Sequence, residues 1–257
     1  MAARPKVAFF EFTSCEGCQL TVVDSLQTSP ELLEAVEIVR FREAMSDKGD
    51  DYLIAFIEGS CTRPSDEAAI QAIRQQAKIV VALGACAHLG GINAIRNRSD
   101  LEETRRYVYG DKADWYETYP ARPIDKVIPV DATLPGCPID RHEFVRAVKA
   151  LLQGRVPVIP DYPVCVECKL KENVCVYLRG RTCLGPIARA GCDAICPTYG
   201  DDCEGCRGLI PQPNIESLKQ VLAEHGLSFE QTMAKMTLFL TYQTMEREAV
   251  GDGKANA

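Results

Sequence analysis

Residues 52–91 read YLIAFIEGSCTRPSDEAAIQAIRQQAKIVVALGACAHLGG, and this segment predicts the architecture of the first part of the chain. Residues 52–57 and 78–83 are short apolar runs, as expected of parallel strands that are buried on both faces. Between them, residues 65–77 place apolar side chains at helical spacing, with Ser65 as the expected N-cap. The segment therefore predicts a β-α-β unit.

The same alternation continues on both sides of this unit. Further strands are predicted at residues 7–12, 36–41 and 126–130, and further helices at residues 20–26, 100–107 and 140–152. Strand and helix repeated in this way predict an α/β fold with a flavodoxin-like, doubly wound parallel sheet. We expect this first domain to span residues 1–155.

The composition changes after this domain. Three prolines between residues 157 and 163 indicate an extended connector, and the cysteine-rich segment that follows has no strand or helix period. Asn214 and Ser228 each have the position of an N-cap before a helical pattern. We expect residues 156–257 to form a second, loop-rich domain that binds metal and ends in helices.

Five cysteines of the first domain each follow a predicted strand: Cys15, Cys18, Cys61, Cys86 and Cys137. In open α/β sheets, ligands bind beyond the carboxyl ends of the strands, so these thiols are expected to converge on one crevice. Glycine and proline neighbours let the backbone turn tightly there and direct N–H groups towards sulfur. Four thiolates on one centre are the ligand set of a 4Fe-4S cluster or of structural zinc.

Five thiols compete for four places in that site. Cys61 is more readily explained as a buried apolar cysteine, which is a common role for a free thiol. A redox dithiol at Cys15 and Cys18 is another interpretation, because C-x-x-C near a β-α-β pattern is typical of thioredoxin-like proteins. That alternative leaves Cys86 and Cys137 without a role.

Eight more of the 13 cysteines lie between Cys165 and Cys206, in the pattern C-x2-C-x6-C-x7-C followed by C-x3-C-x6-C-x2-C. A zinc ribbon would use the C-x2-C pairs but would leave four thiols idle. Two 4Fe-4S clusters use all eight, and the Cys196-Pro197 pair is typical of ferredoxin sequences. The pattern therefore favours iron-sulfur clusters over zinc.

Composition limits the other possibilities. A net charge of −7 without a compensating basic block argues against nucleic acid as a partner, and 46% hydrophobic content supports a folded core. Residues 1–12 lack the features of a signal peptide, and no apolar stretch is long enough to span a membrane. A chain this rich in free cysteine is expected in the cytoplasm, where disulfides are not maintained.

Four motifs together resemble one known family: TSCEGCQL at 13–20, GACAHLGG at 84–91, PGCP at 135–138 and CLGPIARAGC at 183–192. They are similar to the small, electron-transfer subunit of nickel-iron hydrogenases. The resemblance covers nearly the whole chain. The motif CEGCRG at 203–208 and the full set of eight cysteines between 165 and 206 are similar to the cytoplasmic branch of this family. That branch contains NAD(P)-linked enzymes and sulfhydrogenase delta subunits.

The resemblance implies which cysteines bind which cluster. The proximal 4Fe-4S cluster would be held by Cys15, Cys18, Cys86 and Cys137. The distal 4Fe-4S cluster would be held by Cys165, Cys168, Cys175 and Cys183, and the medial one by Cys192, Cys196, Cys203 and Cys206. Some relatives use a carboxylate near the proximal site, so Glu58 or Cys61 is a further candidate for that site.

The implied function is electron transfer through three 4Fe-4S clusters in a hydrogenase complex. The nickel-iron site is expected on a partner large subunit, and electrons would pass to a flavin and NAD(P)-binding subunit with a further iron-sulfur subunit. One alternative is the small subunit of a hydrogenase that feeds heterodisulfide reductase or ferredoxin. A zinc-stapled interaction protein is an alternative of another class.

Overall fold

The computed structural model describes residues 4–255 and contains two compact units. The first unit ends at Val158 and the second begins at Ile159. Each unit is organised differently, because the first is built on a β-sheet and the second consists of short helices and loops.

The first unit is built on a five-stranded sheet in which every neighbouring pair of strands is parallel. The strands are β1 (Lys6–Glu11), β2 (Glu37–Arg40), β3 (Ile54–Glu58), β4 (Ile79–Leu83) and β5 (Ala132–Leu134). Their order in the sheet is β2-β1-β3-β4-β5, which is the flavodoxin order. The predicted flavodoxin-like α/β fold is therefore confirmed.

Six α-helices accompany this sheet: α1 (Gly17–Thr28), α2 (Glu31–Ala35), α3 (Pro64–Gln76), α4 (Gly84–Leu89), α5 (Leu101–Tyr109) and α6 (Arg141–Leu152). Helix α3 begins at Pro64, one residue before the predicted cap Ser65, because proline suits the first turn, where its missing N–H costs nothing. Asp100 and Asp140 cap α5 and α6 by accepting N–H groups three residues later.

The predicted strand at 126–130 is wrong. The last strand lies at Ala132–Leu134, and Ile124–Lys126 instead form a turn of 3-10 helix. Pro129 lacks the N–H that a strand inside a sheet must donate. Asp131 completes the approach to the sheet, since its N–H donates to the Val80 carbonyl and its carboxylate accepts the Val80 N–H.

Apolar side chains pack on both faces of the sheet. On one face, Phe9 and Phe56 stack with ring centroids 4.9 Å apart, and Phe144 of α6 packs against them. On the other face, Ile70 and Ile73 of α3 fill the core. Because helices cover both faces, the carboxyl edge of the sheet remains as the place for a site.

The second unit contains α7 (Val164–Leu170), α8 (Ile195–Thr198), α9 (Ile215–Glu224), α10 (Phe229–Ala234), α11 (Met236–Phe239) and α12 (Thr241–Ala255). As predicted, Asn214 and Ser228 cap helices, each accepting an N–H three residues later. The helical pattern after Ser228 forms three consecutive helices rather than one. Thr232 and Thr241 hydrogen-bond to carbonyls four residues earlier, an arrangement that bends helices.

Candidate metal centres

Four thiols of the first unit lie together beyond the carboxyl ends of the strands. Cys15 follows β1, Cys18 is in the first turn of α1, Cys86 lies in α4 and Cys137 follows β5. Burial raises the pKa of Cys86 to about 12, and repulsion from Cys137 and Cys15 adds to the rise. Burial likewise raises the pKa of Cys18, with smaller contributions from Glu58, Cys86 and Cys137. The four thiols are therefore within electrostatic reach of one another.

Two glycines leave space for these thiols. A Cβ atom at Gly84 would overlap the sulfur of Cys18, and one at Gly91 would lie 3.1 Å from the sulfur of Cys86. Both glycines have a positive φ, +84° and +53°, which an L-residue with a side chain rarely adopts. The backbone thus forms a cradle around sulfur atoms that any larger residue would fill.

Gly84→Ala is expected to displace the Cys18 thiol and to lower the metal content of the protein. The left-handed φ alone costs alanine about 1–2 kcal/mol, and the overlap with sulfur adds to this. Gly154→Ala is the matched control, because Gly154 has φ +69° and no atom within 4 Å of its added Cβ. Metal analysis of the two variants checks the prediction, and equal metal contents would contradict it.

Glu58, a further candidate for the proximal site, accepts two backbone hydrogen bonds in this structure. It lies at the end of β3 and is buried, and its Oε1 and Oε2 accept the N–H groups of Cys18 (3.2 Å) and Gln19 (2.9 Å). The N-cap of α1, Glu16, is left-handed and makes no capping hydrogen bond of its own. Glu58 therefore caps α1 from 40 positions away and fixes the loop that carries two thiols.

Cys61 lies apart from the four thiols. It is fully buried in the core on the α3 face of the sheet, and its sulfur lies 2.8 Å from the Tyr119 hydroxyl. Its backbone pairs with Arg122, whose guanidinium donates to the Tyr119 oxygen and to Glu67. Burial raises the pKa of Cys61, and its place in the apolar core is the one expected of a packed free thiol.

The first cysteine set of the second unit lines one cavity. Its members are Cys165, Cys168, Cys175 and Cys183. Burial raises the pKa of Cys165 to about 12, and repulsion from the other three adds to it. A Cβ atom at Gly185 would lie 3.2 Å and 3.3 Å from the sulfurs of Cys165 and Cys183. Glycine at this position again keeps space free around sulfur.

The remaining set, Cys192, Cys196, Cys203 and Cys206, is gathered by the turns before and after α8. Burial raises the pKa of Cys196, and Cys192 is the largest electrostatic contributor. Burial also raises the pKa of Cys203 well above its usual value, with repulsion from Cys183, Cys206 and Cys192 adding to it. The Cys203 N–H donates to the sulfur of Cys183 at 3.2 Å. The two sets of the second unit are therefore neighbours.

Two further observations concern residues 4–255. Within this range, no group of three or more histidine, cysteine, aspartate or glutamate side chains is arranged to hold a single metal ion. No helix in the same range is long and apolar enough to cross a membrane.

Comparison with known sequences gives consistent matches. The family described as NADH ubiquinone oxidoreductase, 20 Kd subunit, matches residues 15–151. Sulfhydrogenase 2 subunit delta of Pyrococcus furiosus is 36% identical, over 85% of this chain and 92% of that protein. A subunit of the F420-non-reducing hydrogenase vhu of Methanocaldococcus jannaschii is 35% identical, over 79% of this chain and 81% of that protein.

A solved structure matches as well. The crystal structure of an NAD+-reducing [NiFe]-hydrogenase in the H2-reduced state contains a chain that is 28% identical, with a TM-score of 0.54. The match covers 96% of that chain but only 62% of this one. The two sequence relatives therefore match a larger share of this chain than the solved structure does.

Proposed function

The chain belongs to the NADH ubiquinone oxidoreductase 20 Kd subunit family and is a small subunit of a nickel-iron hydrogenase, and from this premise we propose that it relays electrons through three 4Fe-4S clusters. The relay would connect the nickel-iron site of a partner large subunit to a flavin module that reacts with NAD(P). The observation that carries the proposal is that buried thiols at three places raise one another's pKa: Cys86 with Cys15 and Cys137, Cys165 with Cys168, Cys175 and Cys183, and Cys203 with Cys192 and Cys206.

The residues present suit such clusters. Thiolates are the ligands of cubane clusters, and the glycines at 84, 91 and 185 keep free the space beside them. We assign the proximal cluster to Cys15, Cys18, Cys86 and Cys137, the distal cluster to Cys165, Cys168, Cys175 and Cys183, and the medial cluster to Cys192, Cys196, Cys203 and Cys206. When bound, each cluster supplies a site that accepts and releases one electron.

The protein's part in the relay is to hold the thiolates and control their surroundings. Burial and mutual repulsion disfavour the thiolate forms of these cysteines, and a cationic core of iron would stabilise the thiolates where they lie. Backbone N–H groups of Gly185 and Cys203 donate to the Cys183 sulfur at 3.3 Å and 3.2 Å. Such bonds stabilise electron-rich sulfur and thereby tune the reduction potential of the site.

Exposed thiols and apolar side chains in the first unit support a protein partner there. Cys15 and Cys137 are exposed, and Leu20 nearby in the sequence is 56% exposed. We propose that the large subunit covers this edge. An exposed thiol and apolar side chains of this kind are unfavourable in water and suit an obligate interface.

A surface of the second unit suits the electron acceptor. Cys175 is exposed, and Leu170 and Leu178, close to it in sequence, are 79% and 68% exposed. Val174, the neighbour of Cys175 in the sequence, is also exposed. We propose that the flavin and NAD(P) module, with its own iron-sulfur subunit, binds here, and that the complex is cytoplasmic, where free cysteines persist.

One observation favours a second candidate acceptor. An F420-non-reducing hydrogenase subunit matches more of this chain than does the NAD+-reducing structure. The alternative is therefore a complex without nicotinamide chemistry that feeds ferredoxin or a heterodisulfide reductase. The chemistry of the cluster sites is the same in both cases, and only the partner at the distal end differs.

The test uses the complex purified without oxygen from its own host. Under hydrogen, the broad absorption near 400 nm, typical of iron-sulfur clusters, is expected to bleach and to return when an acceptor is added. Return with NAD(P)+ and a flavin content of about one per complex supports the first proposal, and return with ferredoxin alone supports the alternative. If hydrogen leaves the absorption unchanged, the relay proposal is wrong.

A further inference from the structure

One carboxylate joins two cysteine-bearing segments of the second unit. Glu167 lies in α7 between Cys165 and Cys168. Its Oε1 accepts the N–H of Gly191 at 2.8 Å, and its Oε2 accepts the N–H of Ala194 at 3.2 Å. Those two N–H groups stand on either side of Cys192. Glu167 therefore links a helix that carries two thiols of one set to the turn that carries a thiol of the other.

The turn that Glu167 holds does not have a relaxed backbone. Gly191, just before Cys192, has φ +109°. Asp193 and Ala194, just after Cys192, have φ +59° and +48°. Two consecutive left-handed residues that are not glycine are unfavourable and persist only where their surroundings hold them. Lys171, one helical turn after Glu167, adds a second link by pairing with Asp193.

Glu167 also acts on Cys192 through its charge. Burial raises the pKa of Cys192, and the negative charge of Glu167 is the next largest contributor. The carboxylate is thus close enough to act on the thiol as well as on the backbone around it. Removing the charge while retaining the shape of the side chain separates these two effects.

We propose that Glu167 is a positioning residue that sets the separation of the medial and distal clusters. The inference rests on the proposed function, because it concerns the same two cysteine sets. Electron transfer between two centres weakens steeply with their distance, so a residue that joins their loops controls the step between them. Neither cluster needs Glu167 as a ligand in this arrangement.

Three variants of the intact complex test the role of Glu167. Glu167→Ala removes both hydrogen bonds, and Glu167→Gln keeps one acceptor oxygen and the size of the side chain but loses the charge. Glu172→Gln is the matched control, because the Glu172 carboxylate makes no hydrogen bond or ion pair with residues 4–248, whose side chains the structure describes. The measurements are iron content, the magnetic interaction between reduced clusters in electron paramagnetic resonance, and the reduction potential of each cluster.

Glu167→Ala is expected to lose up to about four irons per complex, because the Cys192 turn is released. Glu167→Gln is expected to keep its iron but to show a changed magnetic interaction between two clusters and a raised potential of one. Glu172→Gln should match the parent in all three measurements. If Glu167→Gln matches the parent in both magnetic interaction and potential, the inference is overturned, whether or not Glu167→Ala folds.

These outcomes separate the inference from the proposed function. A parent complex that lacks the iron of three clusters would overturn the proposed function. A parent with full iron content whose Glu167→Gln variant is unchanged would overturn only the role of Glu167.

Discussion

Replacing either Cys86 or Cys137 by serine is expected to remove about four irons from the complex, which is one 4Fe-4S cluster. Both thiols lie at the carboxyl edge of the sheet with Cys15 and Cys18, and repulsion among them indicates close approach. A serine hydroxyl does not ionise at neutral pH and is a poor ligand for iron. The measurement is iron and acid-labile sulfide per complex after purification without oxygen.

Cys61→Ser is the control for this prediction. The Cys61 sulfur packs beside Tyr119 in the core on the α3 face, and a hydroxyl can take over its hydrogen bond to that residue. Its iron content is therefore expected to equal that of the parent. Loss of about four irons in Cys61→Ser, with iron retained in Cys86→Ser, would overturn the proximal assignment.

Cys196→Ala is expected to convert one of the three clusters to a 3Fe form. A cluster held by three cysteines readily loses the iron that lacks a protein thiolate. Cys196 is exposed at the start of α8, so no packed core is lost when its side chain is shortened. A new 3Fe signal should appear in electron paramagnetic resonance of the oxidised variant, with about one iron fewer per complex.

The potential of the converted cluster is expected to rise, so exchange with low-potential acceptors should slow more than reduction of a high-potential dye. Ile195→Ala is the control, since this neighbour in α8 is 54% exposed and carries no ligand atom. An oxidised Cys196→Ala variant with no 3Fe signal and an unaltered iron count would mean that Cys196 is not a ligand. The medial set would then need another fourth member.

Much of the fold can be predicted because the relevant signals are local. The first four apolar strands and the caps at Asn214 and Ser228 depend on residues within a few positions of one another, and the structure agrees with them. The predicted position of the last strand is wrong because residues 126–130 are apolar but contain Pro129, which cannot join a ladder.

The candidate sites also contain features that the sequence predicts and features that it does not. Strand order predicts that the thiols of the first unit converge at the carboxyl edge of the sheet, whereas the division of the twelve cysteines into three sets of four is implied by the family resemblance and stays a prediction. The roles of Glu58 and Glu167 are not predictable, because each caps or holds backbone 24 to 40 positions away. A carboxylate that bonds to distant N–H groups leaves no pattern in one sequence. The separation of Cys61 likewise depends on Tyr119 and Arg122, which no motif connects to it.

The chemical identity of the three sites is the central claim, and it is tested most directly by metal and sulfide analysis of the small subunit bound to its large subunit. The two-subunit complex, purified without oxygen, is expected to contain about twelve irons and about twelve acid-labile sulfides beyond the iron of the nickel-iron site. The zinc content is expected to be well below one ion per complex. Two or more zinc ions per complex with little sulfide would contradict the account and support a zinc-stapled interaction protein.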